Sequence, residues 1–166
     1  MRVTQQAPLL KVKRVTIIRR NPPTTGGPAE TVVFEARDGA FNNQIQLSGV
    51  GLVSTIEIEF TGGPVNQDSV RQGSSFVVRR LGAAVQLQAG QLQWMSGSVV
   101  RWNATTPLSR GSYSVALLSG LDPVTNQAAS SKILAIDGRT LDGEPTRLPS
   151  GNNAADGTFF FTMQVS

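Results

Sequence analysis

The sequence contains no cysteine and no histidine. Without cysteine, the chain cannot form disulfides, use a thiolate as a nucleophile, or hold zinc or an iron–sulfur cluster through sulfur. Without histidine, it lacks the side chain that most often serves as a general base or metal ligand near neutral pH. Because these absences exclude most familiar types of active site, we expect a protein that is not an enzyme and needs no cofactor.

Charged residues and long apolar runs are also scarce. Charged side chains make up 16% of the 166 residues, too few for a coiled coil or a charged disordered tail. No run approaches the roughly 20 apolar residues that cross a bilayer. The first ten residues lack the apolar core of a cleaved signal peptide. We expect no membrane span and no signal peptide in this chain, and its length suits one domain with its own core.

What the sequence does contain is a series of short segments with apolar side chains at alternate positions. The clearest is 54–60, in which Ile56, Ile58 and Phe60 share one face while Glu57 and Glu59 share the other. About ten such segments separated by turn residues predict an all-β sandwich or barrel. The predicted strands are 9–20, 31–36, 44–47, 54–60, 75–80, 84–89, 91–95, 99–103, 112–118, 132–136 and 158–165. A short helical turn, capped by Asn66 or Asp68, is predicted within 66–72.

The stretch 99–118 organises the predicted core, because two alternating segments flank a turn marked by Pro107 and Gly111. Tyr113 begins the second segment and supplies a large apolar surface with a polar tip. The predicted core consists of Ile56, Ile58, Phe60, Phe76, Trp102, Tyr113, Val115, Phe159 and Phe161.

Basic residues are concentrated at the N-terminus. The first twenty residues carry six cations and no acid, whereas the remainder carries nine cations and eleven acids. The alternation in 9–20 is broken, which predicts either a β-bulge near Lys13 and Arg14 or apolar contact on both faces of the strand. We predict a basic arm or strand with a Pro- and Gly-rich connector in 1–28, and a sandwich domain in 29–166.

The predicted interaction residues are the basic side chains of this segment, Lys11, Lys13, Arg14, Arg19 and Arg20. On a terminal strand, basic side chains protect a sheet edge, or they prepare the strand to complete a neighbouring subunit's sheet. Binding to nucleic acid or to an acidic polysaccharide is the less favoured interpretation, because no recognition motif accompanies the charge.

Acidic and amide residues are frequent in the glycine-rich loop 137–156. Calcium prefers several oxygen ligands from a flexible loop, so the loop is a weak candidate for a calcium site. Its candidate ligands are Asp137, Asp142, Glu144 and Asp156, with Asn152 and Asn153 nearby. Ordinary turn chemistry explains the same residues and is the favoured interpretation, because Asp and Asn are common in turns and the run lacks an EF-hand pattern.

Three large aromatic side chains could form a platform that stacks against a ligand. Trp94, Trp102 and Tyr113 each share the parity of neighbouring apolar residues, which predicts that all three belong to the core. Trp94 has polar neighbours and is the weak candidate for ligand stacking.

Several segments, taken together, resemble the SbsA-type bacterial Ig-like domain of S-layer and large surface proteins. They are STIEIEF, PVNQDSV, SFVV, VVRWNATTPLSRGSYSVAL, AIDGRTLDGE and FFFTMQV, and the resemblance covers roughly residues 50–166. The insertion at 144–157 departs from the pattern. The resemblance implies an antiparallel Ig-like β-sandwich, here with an N-terminal strand extension, and a cell-surface or extracellular location.

The sequence leaves three functions open. The favoured one is a non-catalytic structural module that acts as a spacer, lattice or adhesion domain. Its partners would be copies of itself or neighbouring surface domains. The first alternative is a subunit of a filament, tube or shell whose basic N-terminal strand completes a neighbour's sheet. The second alternative is a module that binds carbohydrate or another polyanion.

Overall fold

The computed structural model describes residues 8–21, 26–49 and 52–166. These residues form β-strands and one short 3-10 helix, Gln67–Ser69, which Asn66 caps by accepting the backbone N–H of Asp68. The strands are β1 Lys11–Arg20, β2 Glu30–Arg37, β3 Gly39–Ala40, β4 Gln44–Leu47, β5 Val53–Thr61, β6 Phe76–Leu81, β7 Gln86–Leu87, β8 Gly90–Trp94, β9 Val99–Leu108, β10 Gly111–Leu117, β11 Arg147–Leu148 and β12 Phe159–Val165. No helix of the described residues has the length and apolar character to cross a membrane.

The strands form two five-stranded sheets and a small two-stranded ribbon. The first sheet has the order β2-β1-β5-β9-β8, the second has the order β4-β12-β10-β6-β7, and β11 pairs with β3. Every pair in the two large sheets is antiparallel except β12 with β4, which is parallel.

This order is that of an Ig-like sandwich. In one sheet β1, β5, β9 and β8 take the positions of strands A, B, E and D, and in the other β6, β10 and β12 take those of C, F and G. The predicted fold class is therefore confirmed. The sandwich forms because apolar side chains alternate along each strand and the two apolar faces must be buried against each other.

The predicted core is also confirmed. All nine predicted core residues are buried and belong to one contiguous apolar cluster between the sheets. Phe159 and Phe161 on β12 pack against Phe41, which lies between β3 and β4. Their ring centroids are 5.5 and 6.3 Å from that of Phe41.

Lys11–Arg20 do not form an arm or an edge strand, because β1 lies inside the first sheet and pairs on one side with β2 and on the other with β5. The predicted role in protecting an edge is therefore wrong for β1. The predicted bulge is present, since the register with β5 shifts between Val12 and Arg14. Apolar residues occur at both even and odd positions of β1 because the bulge rotates the strand, so that Val12 and Val15 both reach the core.

A long connection, residues 118–158, joins β10 to β12 and covers one end of the sandwich; we call it the capping loop. Its segment 132–136, predicted as a strand, makes only isolated bridges, because its partners are loop residues such as Val65 and Thr140. The predicted strand 84–89 shortens to Gln86–Leu87. The capping loop contributes Ile133 and Leu141 to the core, so it is part of the packed domain.

Candidate functional site

The capping loop places the carboxylate of Asp142 inside the domain, where its side chain is fully buried. Oδ1 accepts the backbone N–H of Asn152 at 3.0 Å, and Oδ2 accepts that of Asn153 at 2.8 Å. The Nζ atom of Lys11 lies 3.4 Å from Oδ2 and donates to Oδ1 of Asn153 at 2.7 Å. Because a buried carboxylate is costly unless it is paired and hydrogen-bonded, these contacts are what permit Asp142 to lie inside.

Backbone and hydroxyl groups connect the same place to the first strand. The Asp142 N–H donates to the carbonyl of Leu10, and the Asp142 carbonyl accepts the Ser150 hydroxyl. The Ser150 N–H donates to the carbonyl of Val12, whose own N–H donates back to the Ser150 hydroxyl. The capping loop and the beginning of β1 are thus held together by reciprocal hydrogen bonds that are protected from water.

Glu144 is the second carboxyl group of this site. Burial raises its pKa, and the neighbouring Asp142 raises it further through a hydrogen bond and through charge repulsion. The Oε2 atom of Glu144 is buried without a hydrogen-bond partner in the structure. The protonated form of Glu144 is favoured because it avoids a second buried negative charge beside Asp142.

Two glycines make room for these carboxyl groups. A Cβ atom on Gly151 would overlap the carboxylate of Asp142, and one on Gly157 would overlap the carboxylate of Glu144. Gly151 also has a φ of +100°, which side chains with a Cβ rarely adopt. The glycines of this loop therefore serve the packing of the carboxyl pair as well as the turns.

A cleft of about 450 Å³ opens beside Lys11 and Asn153. Its walls are a mixture of apolar and polar groups and include Pro8, Leu9, Thr61, Arg147 and Pro149. Arg147 is exposed, and none of the carboxylates in the described residues forms an ion pair with it. The cleft therefore presents one engaged cation, Lys11, and one that is open to an anion.

The four predicted calcium ligands do not come together. Asp137 pairs with Arg139 at 2.9 Å, and Asp156 bonds Lys132 and Thr140 at 3.1 and 2.8 Å. Only Asp142 and Glu144 are neighbours, and the described residues hold no cluster of three or more groups that could bind a metal. The prediction of one calcium site from all four is wrong, because the loop directs two of the carboxylates outward to basic partners.

The predicted basic interaction residues separate as well. Lys11 belongs to the carboxyl site, whereas Lys13 and Arg20 are exposed. Arg19 donates to Oδ1 of Asn21 at 3.1 Å. Arg14 lies on the outer face of the sheet, where it meets acidic side chains. These cations therefore do not form one binding patch, since the bulged strand sends them in different directions.

The outer face of the first sheet carries an ion-pair network that the sequence did not predict. Arg14 lies 3.2 Å from Glu59 and 3.6 Å from Glu57, and Arg101 lies 2.9 Å from Glu57 and 3.2 Å from Glu30. The hydrogen bond that Arg101 donates to Glu57 is the main reason that the pKa of Arg101 is raised. The pattern 54–60 placed the glutamates outward, but their partners come from β1 and β9 and follow only from the sheet order.

The aromatic residues behave largely as predicted. Trp102 is buried, and its Nε1 donates to Oε1 of Gln72 at 2.6 Å. Tyr113 is buried, and its hydroxyl donates to the carbonyl of Ser109 at 2.8 Å. Trp94 is half-buried and stacks on Phe60 with ring centroids 6.4 Å apart. Trp94 packs against the core and stays a weak candidate for ligand stacking.

Neither a family model nor a curated protein matches this sequence. The chain is similar to two solved structures of PcoC, a methionine-rich copper resistance protein from Escherichia coli. One of the two is of the selenomethionine form of PcoC. Both are 9% identical to it; the matches cover 75% and 78% of this chain and 90% and 99% of PcoC, with TM-scores of 0.43 and 0.40.

Proposed function

We propose that this chain is a non-catalytic structural module of a cell-surface or extracellular assembly, in which it holds neighbouring domains at a fixed spacing. The observation that carries the proposal is the placement of the first and last strands. Both β1 and β12 lie in the interior of a sheet, and each is paired along both sides.

The two strands also run in the same direction through the sandwich. β1 begins at the capping loop, where Lys11 meets Asp142, and β12 begins directly after that loop. β12 ends at the opposite end of the sandwich, where Val165 pairs with Gly111 and Leu47. The chain therefore enters the domain at one end and leaves it at the other, which is the geometry that lets domains be joined in a row.

Tension between the two ends would act along these strands. Because hydrogen bonds between strands lie across the strand direction, such a load must shear many of them at once rather than open them one by one. The ion pairs from Arg14 and Arg101 cross the same sheet and add resistance to sliding. Rigid transmission of force is thus what this fold does well.

Single-molecule force spectroscopy tests the proposal. The protein is pulled in one case by its two ends, and in the other through cysteines introduced as Glu35→Cys and Gln93→Cys on the two edge strands of the first sheet. The native chain has no cysteine, so these attachment points are unique. We expect clearly higher unfolding forces between the ends, and equal or lower forces between the ends would contradict the proposal.

A second candidate function, binding of an acidic saccharide, is supported by the cleft beside Lys11. A carboxylated sugar could place its ring against Pro8 and Pro149 and its anionic group beside Arg147. Titration of an oligouronate at low salt, followed by calorimetry, tests this. We expect Arg147→Ala to abolish binding and Arg110→Ala, a change at an exposed turn on another loop, to retain it; equal binding by both variants would exclude the cleft.

A further inference from the structure

Strand β2 is an open edge of the first sheet. It has eight residues, whereas the other edge strands of the two large sheets, β8, β4 and β7, have five, four and two. Within the described residues, β2 pairs with β1 on one side and with no strand on the other. Its outer backbone groups are therefore available to another strand.

A β-bulge decides which side chains of β2 face outward. The register with β1 passes from Ile18 opposite Val32 to Ile17 opposite Phe34, so Val33 is the extra residue. Val33, Phe34 and Ala36 pack against the core. The outward row consists of the exposed residues Glu30, Val32, Glu35 and Arg37.

We propose that β2 pairs in antiparallel fashion with β2 of a second copy of this chain, joining two five-stranded sheets into one across a twofold axis. The register that the sequence favours sets Glu30 opposite Arg37 and Val32 opposite Glu35. A twofold axis normal to a sheet requires opposed residues to share a face. A regular strand would place residues 30 and 37 on opposite faces, and the bulge at Val33 is what brings them to the same one.

Neighbouring registers are disfavoured by charge or by facing. A shift of two residues in one direction sets Glu30 opposite Glu35, and like charges directly opposite one another destabilise a strand pair. A shift of two in the other direction, or of one in either, sets outward residues opposite inward ones. In the proposed register Val33 lies opposite Phe34 on the inward face, so the apolar core continues from one copy to the next.

The side chains involved are partly exposed, and Glu30 would exchange its contact with Arg101, at 3.2 Å, for a contact with Arg37 of the second copy. The Arg37 side chain is 61% exposed and its contact with Glu35 is 3.4 Å long, and the Glu30 side chain is 39% exposed. Val32 is 54% exposed and would be covered. The inference rests on the proposed function, since it names one neighbour that the module would hold. The strand that pairs between subunits is then β2 and not the internal strand β1.

Sedimentation equilibrium of the wild-type protein and of two charge variants tests the pairing. Arg37→Glu sets Glu30 opposite a glutamate twice in each dimer, and Glu30→Arg sets Arg37 opposite an arginine twice. We expect a dimer for the wild type, and self-association weakened by about tenfold or more for each variant alone. An equimolar mixture of the two variants should dimerise again, because both contacts are then between opposite charges.

The control variant is Arg110→Glu, which makes the same charge change at the exposed turn between β9 and β10. It should dimerise like the wild type, and circular dichroism should show that all variants are folded. A wild type that stays monomeric up to about 1 mM, or a mixture that does not recover association, would overturn the inference. A monomer that still resists force between its ends would leave the proposed function standing.

Discussion

The Nζ atom of Lys11 lies 3.4 Å from the Oδ2 atom of Asp142, so the beginning of β1 is tied to the loop that leads into β12. The contact joins β1, in the first sheet, to the loop that precedes β12, in the second sheet. Asp142 is fully buried and Lys11 is mostly buried, and their charges are therefore poorly screened. The packing of the capping loop depends on this pair.

Replacing Asp142 with alanine should destabilise the domain by about 3 to 5 kcal/mol, since the change leaves Lys11 and two backbone N–H groups without their acceptor. Urea denaturation followed by tryptophan fluorescence measures the free energy of unfolding. Asp137→Ala is the matched control, because within the part of the chain that the structure describes that exposed carboxylate contacts the side chain and backbone of Arg139. A loss as large in the control as in Asp142→Ala would contradict this reading.

Gly151→Ala should cost more than Gly138→Ala, although both glycines have a positive φ. At Gly138 a Cβ atom meets nothing within 4 Å, so we expect only the backbone strain of about 1 to 2 kcal/mol. At Gly151 the same atom overlaps the Asp142 carboxylate, and the strain adds to a displaced buried charge. The two free energies of unfolding, measured side by side, separate packing from backbone conformation, and equal losses would show that the carboxylate moves freely aside.

Stability should depend on pH through Glu144. Its pKa in the folded protein is raised above the ordinary value of 4.5 by burial and by Asp142. The stability that this group contributes is therefore fully present below the pKa of the unfolded chain and is lost as the pH rises through the folded pKa. Glu144→Gln keeps the neutral form, so its advantage over the wild type should grow as the pH is raised from acid toward neutral.

Unfolding free energies of both proteins at a series of pH values provide the measurement. Asp122 acts in the opposite direction: burial alone would raise its pKa, but its bonds with Arg79 and with backbone N–H groups lower it. Stability from Asp122 is present above its unfolded pKa and is lost as the pH falls. The difference between Glu144→Gln and the wild type cancels this contribution, and a difference that is constant with pH would contradict the role of Glu144.

Tyr113→Phe should destabilise the domain by about 1 to 2 kcal/mol, because the hydroxyl donates to the Ser109 carbonyl and accepts from Arg80 at 3.1 Å. The bond closes the turn between β9 and β10. Thermal denaturation of Tyr113→Phe and of Arg80→Ala is the test. Because the bond from Tyr113 to Ser109 survives in Arg80→Ala, we expect that variant to lose less stability than Tyr113→Phe. A larger loss of stability in Arg80→Ala would show that the guanidinium of Arg80, and not the bond to Ser109, stabilises the turn.

Much of the fold followed from short-range pattern. The period-two alternation of 54–60, 99–103 and 158–165 gave strands within a few residues of their observed bounds, and Asn66 caps the predicted helical turn. Alternation also identified which side chains are buried, because in a sandwich each strand has one face against the other sheet. The weakest predictions were 84–89 and 132–136, where β-prone residues lack a full-length partner strand.

The candidate site was only half visible in the sequence. The acidic and glycine-rich composition of 137–156 drew attention to the right loop, but composition does not say which carboxylate turns inward. Nothing local distinguishes Asp142, which is fully buried, from Asp156, which is exposed. The difference comes from Leu10, Val12 and Lys11, which belong to the other end of the chain.

What the sequence by itself determined is the class of structure and the identity of the core, since the alternation of apolar residues depends only on neighbours along the strand. Only the tertiary structure decided that the basic N-terminal segment is an internal strand, that β2 is an edge strand, and that Asp142 meets Lys11. Those features depend on which strands lie side by side, and strand order is set by the burial of whole faces rather than by any one segment.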